Sequence, residues 1–446
     1  MSSAQATRDD IARLFGRAAF GATPADLDAW TGKPYADAVS FLVDIPAPSG
    51  RRAQPDDTRR SALVQTGANH TDDGTIRLAQ KWWLERMRTG SYPLEERMTL
   101  LWHGHFATAV RYPYPDVAMM LVQNQTFRTH ALGNFRELVK AVTVDPAMME
   151  WLDGARNSIP TPNENYAREF MELFTLGKFP EVYGERDVRE AARVLTGWTS
   201  NPSFRTVSFN GAGHDTGTKT VLGTTFGDAG AHEYEQLVDV ALSQPVSARF
   251  IAAKLVSNFA YAAMGTDLLR SADSLVVAVA DTLRQTNWDL RAAMRTLLMS
   301  DEFRNGDASA QRLLIRQPAE VMVASAKVFG ISLDNDDAVL QLRNMGQNLF
   351  VPPNVGGFAS GVAWLSPSTV VARYGWAATI GGKNPSGLPA SADTDGWAKR
   401  VGLGTLTLET TAALHEYVAK NAKLPEANRQ TGMLTLLLTS PDWMAL

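Results

Sequence analysis

Three short stretches concentrate side chains able to do chemistry. The first, TPNENYAREFMELFTLGK from Thr161 to Lys178, sets Asn163, Glu164, Asn165, Arg168, Glu169 and Glu172 beside Tyr166, Phe170 and Phe174. Helical steps of about 100° put Tyr166, Phe170, Leu173 and Phe174 on one arc and Asn165, Arg168, Glu169 and Glu172 on another. Carboxylates three residues apart on one stripe repel unless they face water, a cation or an acid/base task that holds one of them protonated. Glu169 is therefore the candidate general acid or base, with Asn163, Asn165 and Arg168 as candidate substrate contacts. Thr161, Pro162 and Glu164 match a capping box, which makes Glu164 structural first and catalytic only if its carboxylate is free of the cap.

The second stretch, LWHGHF, supplies His103 and His105. Two positions apart on a helix their side chains diverge by about 200°, so they share a metal only if Gly104 breaks the helix there. The plain alternative is a histidine at a helix C-terminus or one bonded to a core carbonyl. The third, GAGHDTGTK, places His214, Asp215 and Lys219 among glycines. Asp215 suits a turn, but His214 has no turn role, and a His, an acid and a Lys on one loop suit catalysis, anion binding or completion of a metal shell. A cation held by such residues would take imidazole and carboxylate or amide oxygen, which favours zinc, manganese or iron over copper(I). The spacings of serine esterases, zincins and P-loop enzymes are absent. Arg189 and Arg193, four apart in GERDVREAARVLTGW, suit an exposed helix or a grip on an anion.

The elements that must carry these residues are mostly helices. Apolar residues recur three and four apart in segments such as TIRLAQKWWLERMRTG, PLEERMTLLWHGHF and ARFIAAKLVSNFAYAAMG, which predicts a mainly α, multi-helix body. Thr23 before Pro24 reads as a helix start, and Gly90 and Gly177 as helix stops. The exception is SFRTVSFNGAGHDTGTKTVLG, whose alternation on both sides of a Gly-rich centre predicts a β-hairpin near residues 204–223. Two polar, Pro-rich stretches at 45–62 and 383–396 read as surface loops or linkers, and neither divides the chain by composition, so residues 1–446 read as a single large helical domain. LLMSDEF and LLTSPDW echo one another as helix-ending turns in which Ser caps the next turn and the ring packs on the core.

Composition narrows the function classes. The chain has 446 residues, 45% hydrophobic and 20% charged, with a net charge of −4 and a pI near 6.0. It has no basic tract for nucleic acid, and no apolar run approaches the length needed to span a bilayer. No secretory signal stands at its start, which reads as cytoplasmic as written and exported if a leader has been removed. The absence of cysteine excludes disulfides, thiolate ligands and a cysteine nucleophile.

The order of motifs resembles the bacterial family called domain of unknown function 1800. The residues that carry the resemblance are FGRAAFGATPADLD, LWHGHFATAV, WLDGARNSIPTPNENYAREFMELFTLGK, DVREAARVLTGW, HDTGTKTVLG, IAAKLVSNF, LLMSDEF and LFVPPNVGGFASGVAWLSPSTVVAR, spread over nearly the whole chain. The resemblance implies no activity. It implies frequent export, a sulfatase-like partner of the unknown-function 1501 family, and a shared role for the signature polar positions named above. GGF at Gly356–Phe358 departs from the family's frequent Gly-Trp pair.

The reading that follows is an enzyme of hydrolysis or group transfer on a hydroxyl-rich or anionic substrate such as a glycan. Glu169, Glu164, His214 and Asp215 would carry the chemistry, Asn163, Asn165, Arg168 and Lys219 would hold substrate, and His103 and His105 would hold a metal. The competing reading is a binding or assembly protein whose polar cluster is a buried network, with KWWLERM and GVAWLSPS as partner or glycan surfaces.

Overall fold

The structure is a computed structural model that describes residues 4–46, 57–65, 71–262, 273–305 and 313–445. It is mainly α, as expected, with two small antiparallel sheets inserted between helices. Local signals account for many helix ends. Thr23 caps Pro24–Trp30 in a capping box with Asp26, and Gly90 ends Asp73–Thr89. Ser300 and Ser440 each accept from the backbone N–H three residues on, and the rings that follow, Phe303 and Trp443, are buried. The echo between LLMSDEF and LLTSPDW is thus one capped turn used twice.

The loop expected at 45–62 falls largely outside the described residues, and its last part, with the residues after it, is the helix Asp57–Gln65. The loop expected at 383–396 ends earlier, because Asp393 accepts from Gly396 N–H and starts Thr394–Arg400.

The apolar residues form two clusters. One gathers helices from the first 303 residues around Trp102, Phe106, Phe135 and Phe174. The other joins Asp73–Thr89 to the chain beyond residue 319 and contains Trp82, Trp83, Trp376 and Trp397. Pro93–His105 contributes to both, with Leu94, Met98 and Trp102 on one side and Leu100 on the other. Such a shared helix is buried nearly all round, which explains why its sequence lacks a clean polar face. Trp82, Trp83 and Trp364 are all buried, so the indoles of KWWLERM and GVAWLSPS pack in the interior and offer no ring to a partner or a glycan.

The β structure lies where alternation placed it, but its pairing differs. Strand β1 (Trp198–Asn201) pairs with β2 (Thr206–Phe209), and β3 (Lys219–Val221) pairs with β4 (Thr224–Phe226). The segments expected to face each other across a long turn therefore each pair with another neighbour. Leu222 and Gly223 supply the two positive φ angles of a tight turn between β3 and β4. A leucine in that place carries no sequence signal. The Gly-rich stretch becomes the connection between two hairpins, with His214 on it.

Candidate functional site

The first stretch folds as a short α-helix, Asn165–Glu169, that widens into a π-helix at Phe170–Thr175. Tyr166, Phe170, Met171 and Phe174 are buried, so the apolar arc is as expected. The capping box is not formed. Glu164 stands at the cap position with helical backbone angles and no capping hydrogen bond, while Thr161 pairs with Ser158 as an isolated bridge. Asn163 provides the local cap instead, its Oδ1 accepting from Asn165 N–H at 2.9 Å. The Glu164 carboxylate accepts from Arg168 at 3.0 Å. Arg168 also holds Glu185 through two bonds of 2.8 and 2.9 Å, and this pairing raises the guanidinium pKa. Partial burial, then the charge of Glu172, raises the Glu169 pKa.

His103 and His105 do not converge. The helix runs unbroken from Pro93 to His105, so Gly104 does not redirect the second ring. His103 Nε2 accepts from Phe350 N–H at 3.1 Å, among Trp83, Phe350 and Phe358. His105 Nε2 lies 3.0 Å from the Phe174 carbonyl, and since a carbonyl only accepts, that nitrogen donates. Burial pushes both pKa values down to about 3. A π-helix leaves its last carbonyls without helical donors. His105 satisfies Phe174, and Ser247 Oγ satisfies Thr175 at 2.8 Å. Both imidazoles are neutral core side chains bonded to backbone, and the metal expected between them has no common place to sit.

The third stretch is different. His214, Lys219 and Glu233 are all buried, the last two completely. Lys219 Nζ donates to both oxygens of Glu233, at 3.0 and 2.7 Å, and to the Asp215 carbonyl. His214 Nδ1 is 2.9 Å from the Thr196 carbonyl, so Nδ1 carries a proton. Its other nitrogen, Nε2, points at Glu233 Oε2 at 3.4 Å and Asp228 Oδ1 at 3.9 Å and has no hydrogen-bond partner. In a neutral ring Nε2 presents a lone pair to two oxygens that are themselves electron-rich. That contact is unfavourable in a buried place unless positive charge lies between them, as a proton on Nε2 or a cation. Donor atoms of His214, Asp228 and Glu233 all lie within 4.8 Å of one another, and one imidazole with two carboxylates is a donor set for zinc, manganese or iron. A cation there would share Glu233 with Lys219, whose ammonium already donates to both carboxylate oxygens.

The loop that presents His214 is pinned on both sides. Asp215 receives Arg193 at 2.7 and 3.0 Å, which holds its carboxyl below the ordinary range. Thr196 Oγ1 donates to the Arg193 carbonyl at 2.7 Å and accepts from Asp215 N–H at 2.9 Å. Gly197, at φ +90°, lets this turn pass the ring, since a Cβ there would lie 2.9 Å from the Asn210 carbonyl and 3.0 Å from His214 Cβ. Ile159 N–H donates to the Gly213 carbonyl, and Asn157 ties Asn163 N–H to the Ala192 carbonyl.

The expected single constellation is thus divided. Glu185 and Arg193 lie near the two ends of one helix, Glu185–Val194, and eight residues at 1.5 Å each separate them by roughly 12 Å. Arg168 meets this helix at Glu185, whereas Asp215, Lys219 and His214 gather beyond its other end. Two surface depressions of about 530 and 280 Å³, one lined by Arg291 and Arg295 and the other by Gln125 and Thr129, include none of the site residues. Asp228 and Glu233 escaped sequence reasoning. Glu233 opens the helix Glu233–Ser243, where an acid reads simply as a partner for the helix dipole. The signal that could have found them is the clustering of Asp228, His232 and Glu233 directly after the second hairpin.

The family described as "Protein of unknown function (DUF1800)" matches residues 13–445. No curated protein and no solved structure matches the chain.

Proposed function

The chain belongs to the DUF1800 family, whose description assigns no activity, and within it we propose a metal-dependent hydrolase or group-transfer enzyme centred on His214, Asp228 and Glu233. The observation that carries this reading is the buried Nε2 of His214, without a partner, facing two carboxylates. His214, Asp228 and Glu233 would hold a divalent cation, which would supply Lewis-acid chemistry and acidify a bound water. Lys219 fixes Glu233 and offsets its charge, and Arg193 and Thr196 hold the loop so that the ring keeps its aim. The half-exposed Asp228 is the side from which substrate and water enter. A hydroxyl-rich or anionic substrate such as a glycan ester suits a cation with an ammonium beside it. Glu169, with its raised pKa, is an acid/base candidate at a separate place.

The test is a screen of the full chain against glycans and phosphate and sulfate esters, with and without added zinc or manganese. Turnover that needs the cation and disappears in Glu233→Gln is expected; turnover indifferent to chelator contradicts the reading. One observation favours the assembly reading instead: Lys219, Glu233, Arg193 and Asp215 are bonded to one another. On that reading the region is a docking element for a sulfatase-like protein of the unknown-function 1501 family. Among the described residues no helix is long and apolar enough to cross a membrane.

A further inference from the structure

A second charged group lies far from His214 in sequence. Arg97, Arg316 and Arg373 are almost wholly buried together with one carboxylate, Glu320. Arg97 takes that carboxylate at 2.5 Å, and Gln317 N–H donates to its other oxygen at 2.6 Å. Arg316 and Arg373 are left with neutral acceptors. Arg316 Nε donates to the Trp443 carbonyl at 2.8 Å, and its guanidinium lies 4.6 Å from the centre of the Trp443 ring. Arg373 donates to the Arg316 carbonyl at 2.9 Å and approaches Met444 Sδ at 3.2 Å. Arg316 Nη1 and Arg373 Nε are buried and have no partner at all.

The same protein shows what a compensated arrangement looks like. Glu96 accepts from Arg86 at 2.7 Å, from Arg128 at 2.6 and 3.0 Å and from Trp83 at 3.0 Å, so both guanidinium groups touch the carboxylate. At Arg316 and Arg373 none does. Glu320 attracts Arg316 and Arg373 too, but three guanidinium groups against one carboxylate leave a net excess of positive charge in the interior. Buried arginines are rare unless paired, and an unmatched charge is costly to remove from water. Burial and mutual repulsion pull the Arg316 pKa down to about 10, and burial does the same at Arg373. Even so, both remain charged at neutral pH.

We propose that Arg316 Nη1 and Arg373 Nε hold a small inorganic anion, which compensates this cluster and joins the C-terminal segment around Trp443 to the helices carrying Arg97, Glu320 and Arg373. The anion is of halide size or a small oxyanion, since both donors are buried N–H groups on side chains packed by Trp443 and Met444. It is distinct from the cation at His214, so either site can fail without the other.

The experiment uses the full chain. Crystals are soaked in bromide and the anomalous map is read at the cluster. Thermal unfolding is followed at constant ionic strength in gluconate, bromide or phosphate, for wild type and Arg373→Gln. A bromide peak within hydrogen-bond distance of Arg316 Nη1 or Arg373 Nε supports the proposal, with a saturable rise in Tm over gluconate that Arg373→Gln loses. A rise in phosphate without one in bromide, lost in the same variant, assigns an oxyanion. Should Arg373→Gln fail to fold, the wild-type map and salt series decide alone. No peak together with equal melting in all three salts overturns it, as does a rise that Arg373→Gln retains in full.

Discussion

At the level of single residues, what decides chemistry is which polar atoms are left over after the backbone has been served. His103 and His105 looked like ligands because two imidazoles stand close in sequence. In the fold one accepts a backbone N–H and the other donates to a carbonyl, and each ring is spent on the interior. His214 likewise spends one nitrogen on a carbonyl, but its unpartnered Nε2 faces Glu233 and Asp228, whereas the unpartnered Nδ1 of His105 belongs to a ring packed among Trp102, Phe106, Phe174 and Phe250. No spacing rule separates these cases, because the difference lies in partners contributed from residues 174, 196, 233 and 350. Glu169 was legible, since the like charge of Glu172 three residues on is part of what raises its pKa. Glu169→Gln removes that repulsion, so its Tm should equal or slightly exceed wild type, while turnover falls if the carboxylate takes part in catalysis. A sharp fall in Tm would make Glu169 a member of a structural network.

At the level of elements, the helices were readable from periodicity and caps, but pairing between strands was not. Thr206–Phe209 turns back on Trp198–Asn201, and Lys219–Val221 turns forward through Leu222 and Gly223. That arrangement frees the glycine-rich connection to carry His214 against the end of Glu185–Val194. The π-helix was equally hidden, since its wider turn is sustained by His105 and Ser247 capping Phe174 and Thr175 from other helices. Gly197 is the pivot of the connection. Gly197→Ala should destabilise the protein by roughly 1–3 kcal/mol, because it forces an L-residue into positive φ and presses on His214. Denaturant unfolding measures the loss, and cation binding should weaken alongside it; an unchanged midpoint would remove the pivot role.

For the molecule as a whole, two buried neutral histidines weaken the fold in acid, opposed in part by Asp145, whose carboxyl is pushed up to about 7 by burial. In the unfolded chain His103 and His105 titrate near 6.5, whereas burial holds both at about 3 in the fold. Above pH 6.5 neither state binds these protons, so they contribute no pH dependence. Between 6.5 and 3 the unfolded chain takes up protons that the fold refuses, and stability falls as pH falls, by about 1.4 kcal/mol per pH unit for each histidine once well below 6.5. Unfolding free energy measured from pH 7 to pH 4 should decline with a slope that His103→Gln reduces. A flat profile over that range would show that the rings are accessible in the native state. The mainly α class was plain from composition and period. The partition of the apolar residues into two clusters that share Pro93–His105 was not, because the period of one helix does not show that both of its faces are covered.

Central to the proposed chemistry is a divalent cation between His214 and the carboxylates of Asp228 and Glu233. Titration calorimetry of chelator-treated full chain with zinc, and separately with manganese, tests it most directly. His214→Asn is the control, since its amide can still donate to the Thr196 carbonyl but leaves no imidazole to bind. The wild-type chain should bind one cation, and His214→Asn should bind it at least about 100-fold more weakly at near-normal Tm. A wild-type chain that binds neither metal, or a variant that binds as tightly as wild type, would contradict it.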